Sequence, residues 1–246
     1  GPASWCARSA PAAAVSPDRV RLGKVADVPE QRYAVTAVVP VKQLALAKSR
    51  LALPVEQRWA LALAFALDTV AALAGSPCVG AIVVVTADPD VERCLQGQPA
   101  HLVRDTGVGL LPAVAAGCRV AASRWPGAGV AVVPADLPCL SCDDVTQVLH
   151  LAQRAEGAFV PDWATTGTTF VVTAPGQPMV ARYGPGSAAK HLALGLRSLH
   201  GAPAGARHDV DTLTDLRAAA ALGLGARTAA QVAALDRFGP PASLTA

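Results

Sequence analysis

The sequence predicts an α/β fold, in which a mostly parallel β-sheet is covered by helices on both faces to give a three-layer sandwich. Two observations lead to this prediction. Short apolar runs alternate along the chain with longer Ala- and Leu-rich segments, an order typical of parallel sheets. The runs also hold apolar residues at consecutive positions rather than at every second position, as expected for strands that are buried on both faces.

Each element follows from its local sequence. Four apolar runs are predicted as strands, over residues 34–40, 81–87, 130–136 and 169–173. Helices are predicted between the first three strands, over residues 55–74, 89–95 and 111–122. Two more helices follow in the tail, of which the first has Thr212 as its N-cap and a glycine as its stop. A single domain over residues 34–246 accounts for all of these elements.

Composition narrows the classes of function. The chain has 246 residues, 52% of them hydrophobic, and a formal net charge of +3. It therefore holds enough apolar material for a large core but too little positive charge for a nucleic-acid surface. Its longest apolar stretch, residues 59–73, is shorter than a membrane span and carries Asp68. We expect a buried helix there, no membrane or nucleic-acid partner, and a small anion as the ligand.

The cysteines indicate a cytoplasmic location. Six of them are spread along the chain without the density of a disulfide scaffold. Cys139 and Cys142 have no second pair and no set of histidines near them, so we interpret them as structural rather than as zinc or redox residues. Gly1 and Pro2 have the form of a remnant of tag removal, and residues 1–33 are predicted to form a flexible arm.

Three cations follow the first predicted strand, at Lys42, Lys48 and Arg50. Ligands of parallel sheets bind beyond the carboxyl ends of the strands, which is where this loop begins. Three cations can offset the charge of a triphosphate, and arginine can bind a phosphate through two parallel hydrogen bonds. Taken alone, a solvated basic surface explains these residues equally well.

Three aspartates are candidates for a metal site. Asp136 follows the third strand at the same edge of the sheet, although a turn or helix-capping aspartate is the commoner role for such a residue. Asp209 and Asp211 are two residues apart, a spacing that points both carboxylates to one face of an extended segment. Together the three supply oxygen ligands for one or two Mg²⁺ ions that bridge a nucleotide.

Two polar segments are candidates for binding a second anion. In "GPGSAAKH", Gly184 belongs to a tight turn, Ser187 opens a helix and Lys190 lies one turn later. In "TTGTT", the hydroxyl groups of Thr168 and Thr169 lie beside a glycine that exposes backbone amides. An ordinary helix N-cap and a polar hairpin turn are the respective alternatives.

Five motifs, in this order, carry a resemblance to a known family: "VPVKQLALAKSRL", "ADLP", "TTGTT", "GPGSAAKH" and "HDVDTLTDL". They resemble the 2-phospho-L-lactate guanylyltransferases of coenzyme F-420 biosynthesis, which in actinobacteria are phosphoenolpyruvate guanylyltransferases. The resemblance covers about residues 34–222. It implies a single-domain fold like that of the nucleotide-diphospho-sugar transferases. It also implies a reaction in which GTP and a phosphorylated three-carbon acid give a guanosine diphosphate-linked acid and pyrophosphate.

The resemblance also implies roles for the candidate residues. The aspartates correspond to Mg²⁺ ligands, the loop cations bind the triphosphate, and the two polar segments hold the acid. Two places depart from the family pattern, because Ala135 replaces a glycine and the segment Leu110-Leu111-Pro112 lies where Leu-Asn is common. The acceptor therefore stays open among 2-phospho-L-lactate, phosphoenolpyruvate and 3-phospho-D-glycerate. The product would pass to the next enzyme of the pathway, and the oligomeric state is not determined.

Two alternatives remain at this point. One is another nucleotidyltransferase of the same fold, such as a molybdopterin guanylyltransferase or a sugar-phosphate transferase. The opening loop lacks the glycine-rich "GGxSxRMG" pattern of those enzymes. The other is a non-catalytic nucleotide-binding protein, against which the three placed carboxylates argue. A dinucleotide fingerprint in "GVGLLPAVAAG" is weak, because its third glycine position holds Pro112.

Overall fold

The structure is a computed structural model that describes residues 34–107 and 109–237. The predicted N-terminal arm lies outside these residues. The strands are β1 Val35–Val41, β2 Val79–Thr86, β3 His101–Arg104, β4 Gly129–Val132, β5 Gly157–Pro161, β6 Thr168–Thr173 and β7 Arg197–Ser198. The helices are α1 Val55–Gly75, α2 Pro89–Leu95, α3 Leu110–Arg124, α4 Cys142–Ala152, α5 Ser187–Ala193, α6 Leu213–Leu222 and α7 Ala226–Arg237.

A single seven-stranded sheet forms the centre of the described part of the chain, in the order β3-β2-β1-β4-β6-β5-β7. β1 pairs in parallel with both β2 and β4, and β2 pairs in parallel with β3. β6 is antiparallel to β4 and to β5, whereas β5 and β7 are parallel. The predicted α/β class with a mostly parallel sheet is confirmed.

Helices cover both faces of the sheet. On one face, apolar residues of α1, α2 and α4 pack with the alternate residues of β1 that begin at Val35. On the other face, α3 packs against Val38 and its neighbours on β2 and β4. β1 is therefore buried from both sides, which explains its nearly continuous apolar sequence. A further cluster of apolar side chains packs α1 against α6 and α7.

Close packing of α3 requires a glycine. A side chain at Gly117 would meet the methyl groups of Val38 and Val85, which lie on β1 and β2. The helix axis thus lies nearer to the sheet than a larger residue permits. This contact holds the middle of α3 close to β1 and β2.

The predicted buried helix is α1. It is long and apolar enough to cross a membrane by length and composition, yet 56% of its most apolar window is buried inside the protein. Asp68 lies on its buried side and accepts hydrogen bonds from the backbone N–H groups of Arg227 and Thr228, at 3.2 and 2.8 Å. The aspartate thereby caps the first turn of α7 and explains why a charged residue occurs within an apolar helix.

Candidate active site

The loop after β1 is held by a buried anchor. Leu44 is 5% exposed and belongs to a 3-10 turn, Leu44–Leu46, while its backbone N–H donates to Asp88 Oδ2 at 2.9 Å. Lys48 then adopts a positive φ of 52°, a conformation that few residues other than glycine occupy. Strained backbone of this kind persists where surrounding contacts fix it, and here the ion pairs of Lys48 with Asp136 and Asp211 hold the side chain.

Lys48 joins two of the predicted aspartates. Its Nζ lies 2.6 Å from Asp136 Oδ2 and 2.9 Å from Asp211 Oδ1, and its side chain is only 10% exposed. Burial disfavours the charge on Lys48, but the two carboxylates outweigh that effect and raise its pKa above the ordinary value. Arg50 lies at the outer side, 3.5 Å from Asp211 Oδ2, with 77% of its side chain exposed.

The carboxylates come from two segments that are joined through the backbone. The N–H of Val210 donates to the carbonyl of Asp136 at 3.1 Å, so that segment 209–211 runs beside the residues after β4. Burial raises the pKa of Asp209 to about 7, and the charges of Asp136, Asp162 and Asp211 contribute to that shift, against the effect of its backbone hydrogen bond. Four carboxylates therefore interact at this edge of the sheet.

The fit of a divalent cation can be judged from these oxygens. Within residues 34–107 and 109–237, no three His, Cys, Asp or Glu side chains are arranged to hold a metal ion, and Lys48 Nζ lies between Asp136 and Asp211 instead. Asp136 Oδ1 is nevertheless buried without a hydrogen-bond partner. A buried carboxylate oxygen with no partner, beside carboxylates that repel one another, is the chemistry that a hard divalent cation satisfies.

A cavity of about 590 Å³ opens beside these residues, a volume in the range of small-molecule sites. Its walls come from the ends of β1 and β4, the loop that follows β1 and the start of α3. Charged side chains of both signs line it: Lys42, Lys48, Arg50, Asp105, Asp136 and Asp211. The predicted loop cations and two of the three predicted aspartates thus share one cavity.

The two polar segments of the predicted acid site also meet each other. The carbonyl of Thr166, in the loop before β6, accepts a hydrogen bond from the backbone N–H of Ala188 in α5. Thr168 is half-buried and its Oγ1 lies 2.9 Å from His191 Nδ1. Ser187 is 2% exposed. The turn before α5 has Gly184 at φ 110°, a value that requires glycine, and Lys190 is exposed on the following turn.

Two details of this prediction need correction. Thr169 faces the opposite side of β6 from Thr168, is 1% exposed, and donates its hydroxyl to the carbonyl of Ala206 at 2.6 Å. Its hydroxyl therefore stabilises the fold and is not available to a ligand. At the start of α5, the backbone N–H groups of Ser187 and Ala188 already donate to the carbonyl groups of Gly184 and Thr166, so these two amides are not free to bind an anion.

The structure gives roles to three residues near the acid site that the sequence left unassigned. Asp162 accepts hydrogen bonds from the N–H groups of Thr166 and Gly167, at 3.0 and 2.9 Å, and so shapes the loop before β6. The guanidinium of Arg207 lies 5.6 Å from the ring centre of Trp163, whose side chain is 58% exposed. The spacing of Asp162 and Gly167 was a usable signal, because aspartate commonly accepts hydrogen bonds from loop amides a few residues later.

Comparison with known proteins supplies the decisive observation. A phosphoenolpyruvate guanylyltransferase of Streptomyces avermitilis is 46% identical over 209 residues, which cover 83% of this chain and 97% of that protein. The chain belongs to the phosphoenolpyruvate guanylyltransferase family. A second member, from Streptomyces coelicolor, is also 46% identical and covers 81% of this chain and 96% of its own length. Residues 52–233 match the MobA-like NTP transferase domain.

Solved structures agree with this family at the level of fold. A nucleotide-diphospho-sugar transferase of Desulfovibrio desulfuricans superposes with a TM-score of 0.62 at 16% identity, over 83% of this chain and 96% of that one. A nucleotidyl transferase of Methanothermobacter superposes with a TM-score of 0.53 at 17% identity, over 77% of this chain and 97% of that one. The family, its fold and the nucleotidyltransferase class of enzyme, all predicted from the sequence motifs, are confirmed.

Proposed function

We propose that this enzyme transfers GMP from GTP to the phosphate of phosphoenolpyruvate and releases pyrophosphate. One observation carries the proposal: Lys42, Lys48 and Arg50 line the same cavity as Asp136 and Asp211, at the edge where parallel strands end. Cations that can bind a triphosphate and carboxylates that can bind a divalent metal therefore lie side by side. This is the pairing that transfer of a nucleotidyl group needs.

The chemistry requires positioning more than proton transfer. A phosphate oxygen of the acid attacks the α-phosphorus of GTP, a new oxygen–phosphorus bond forms, and the bond to the β-phosphate oxygen breaks. The attacking oxygen is already anionic, so no strong general base is needed. The protein must instead bring two anions together and balance the charge of the leaving pyrophosphate. Lys42, Lys48 and Arg50 supply that positive charge in the proposed site.

Mg²⁺ is the metal that we propose for the carboxylates. Asp136, Asp209 and Asp211 would hold it, and the buried, unpartnered Oδ1 of Asp136 fits this role. When bound, the ion would lower the negative charge of the phosphates and orient them. Lys48 would then give up its contacts with Asp136 and Asp211 and bind the phosphates of GTP, which are negatively charged like the carboxylates.

The acid is proposed to lie against Thr168 and Ser187, with Lys190 at its outer side. The names of the relatives favour phosphoenolpyruvate over 2-phospho-L-lactate and 3-phospho-D-glycerate. We place the reaction in coenzyme F-420 biosynthesis because of the motif resemblance, with the next enzyme of that route as the recipient of the product. We also propose a cytoplasmic location, which is consistent with the five free cysteines of the described residues.

Nucleotide selection tests this proposal. Pyrophosphate release is measured with phosphoenolpyruvate, Mg²⁺ and each of GTP, ATP, CTP and UTP in turn. The proposal predicts rapid release with GTP and much slower release with the other three. An enzyme that releases pyrophosphate equally well from ATP or CTP would contradict the assignment of GTP. Omission of phosphoenolpyruvate is the control, because simple hydrolysis of GTP releases phosphate or pyrophosphate without an acceptor.

A further inference from the structure

His191 makes two directional hydrogen bonds inside the protein. Its ring is 0% exposed, and it lies one turn after Ser187 on α5. The backbone N–H of Arg182 donates to Nε2 at 2.9 Å, and Nδ1 lies 2.9 Å from Thr168 Oγ1. A backbone N–H can only donate, so Nε2 must be the unprotonated acceptor. The neutral ring then carries its proton on Nδ1.

The position of that proton determines what Thr168 can do. The Nδ1–H of His191 donates to Thr168 Oγ1, so the hydrogen of the threonine hydroxyl must point elsewhere. Among the described residues, the structure gives Thr168 Oγ1 no partner other than His191. A hydroxyl that already accepts a hydrogen bond is also polarised toward donating one. Thr168, at the half-buried start of β6, thus keeps its hydroxyl hydrogen available for donation to a ligand.

We propose that His191 is a positioning residue for the acceptor acid, because it orients the hydroxyl of Thr168 to donate to an anionic oxygen of that acid. This inference rests on the proposed function. Under this inference, His191 contributes to the affinity for the acceptor although it is buried and does not itself contact the ligand. Thr169, the neighbouring threonine, has no comparable role, because its hydroxyl is bound to the carbonyl of Ala206.

The surroundings of the ring favour its neutral form. Burial lowers the pKa of His191, and the positive charges of Arg182 and Lys190 act in the same direction. The carbonyl of Ser187 acts against them and raises it. Phe159 and Tyr183 enclose the ring, with centroids 5.4 and 6.1 Å away. A charged ring would need a second acceptor at Nε2, where the structure places a donor.

Two substitutions separate the bonds of the ring. His191→Gln places an amide oxygen near the position of Nε2, where it can accept from Arg182, but it supplies no donor to Thr168. His191→Asn places an amide nitrogen near the position of Nδ1, where it can donate to Thr168. We expect His191→Gln to raise the KM for phosphoenolpyruvate roughly tenfold, as loss of one oriented hydrogen bond to a charged group does. His191→Asn is expected to recover most of that loss.

Thr168 provides the decisive comparison. Thr168→Val removes the hydroxyl and is expected to raise the same KM at least as much. Because His191 acts through that hydroxyl, adding His191→Gln to Thr168→Val should change the KM by less than twofold. The KM for GTP should stay within twofold in all these variants. His150→Gln, at an exposed histidine of α4, is the matched control and should leave both values unchanged.

A purely structural role for His191 gives different results. It predicts a lower melting temperature with an unchanged KM for phosphoenolpyruvate, or effects of His191→Gln and Thr168→Val that multiply. Either result would overturn the inference. The tautomer of His191 can be measured independently of turnover by ¹⁵N NMR at pH 7.5. The signals of His191 are assigned among the five histidines by their loss in the His191→Gln variant. The spectrum should show Nδ1 protonated and Nε2 unprotonated. A ring protonated at Nε2 would also overturn the inference. Absence of turnover in the unmodified enzyme would instead refute the proposed function.

Discussion

Asp209→Asn is expected to stabilise the protein above neutral pH while it abolishes turnover. Burial raises the pKa of Asp209 from 3.8 to about 7 in the folded protein, with further contributions from Asp136 and Asp211. The folded state therefore binds this proton more tightly than the unfolded state does. The free energy of unfolding falls as the pH rises from about 4 to about 7, and it stays at the lower value above that range. Asparagine has no such proton and avoids the loss.

The magnitude follows from the size of the shift. A rise from 3.8 to about 7, at about 1.4 kcal/mol per pKa unit, sets a ceiling of about 4 kcal/mol. Asp209 is only half-buried and shares its proton affinity with neighbouring carboxylates, so we expect roughly 2 kcal/mol. In a chain of this size each kcal/mol moves the melting temperature by about 2–4 °C. The variant should therefore melt about 4–8 °C higher at pH 8, with no difference near pH 4.

The assay is thermal unfolding followed by circular dichroism from pH 4 to pH 8.5, with a chelator present so that metal binding does not contribute. Asp143→Asn is the control, since Asp143 is an exposed aspartate in the first turn of α4. Its effect should be small, and it should not reproduce the gain expected for Asp209→Asn at pH 8. A variant of Asp209 that melts at or below the temperature of the unmodified protein at pH 8 would refute the reasoning. So would a gain that is equally large at pH 4.

Three other substitutions have distinct expected results. Lys48→Met should raise the KM for GTP at least tenfold, yet tighten Mg²⁺ binding in the absence of nucleotide, because a competing cation is removed; weaker Mg²⁺ binding by calorimetry would contradict this. Asp68→Ala should lower the free energy of unfolding by about 2–3 kcal/mol, because the N–H of Thr228 loses its buried acceptor, and kcat at 25 °C should not change. Thr169→Val should lower the free energy of unfolding by about 1 kcal/mol, measured by urea unfolding, because the hydroxyl of Thr169 donates to the carbonyl of Ala206. The KM for phosphoenolpyruvate should not rise. A tenfold rise in that KM would show that Thr169 contacts the substrate.

The elements that the sequence predicted well are those with strong local signals. The apolar runs of β1 and β2 are buried on both faces, and Thr212 forms a capping box with Asp215 at the start of α6. Of the strands that were missed, β5 is apolar and largely buried, whereas β3 and β7 lack such signals. β3 lies at the edge of the sheet with mostly exposed residues, and β7 has only two residues. Their strand conformation depends on pairing with a neighbour rather than on their own residues.

The candidate site shows the same limit. From the sequence we predicted one site that contains Lys48, Asp136 and Asp211, although they come from three distant segments. Each of them follows or flanks a strand or helix whose end could be predicted. Adjacent threonines could not be told apart, since one residue of register decides which of them faces the ligand. The role of His191 depends on the partner of its second nitrogen, the backbone N–H of Arg182. No pattern of residue types specifies that contact.

The most direct test of the central claim follows the α-phosphate of GTP into the product. Enzyme, Mg²⁺ and GTP labelled at the α-phosphate are incubated with phosphoenolpyruvate, 2-phospho-L-lactate or 3-phospho-D-glycerate, and the products are separated and identified by mass. If the proposed function is right, label moves into a guanosine diphosphate-linked acid, fastest with phosphoenolpyruvate, with one pyrophosphate released per transfer. Label that stays in GTP with all three acids, while GTP still binds, would contradict it.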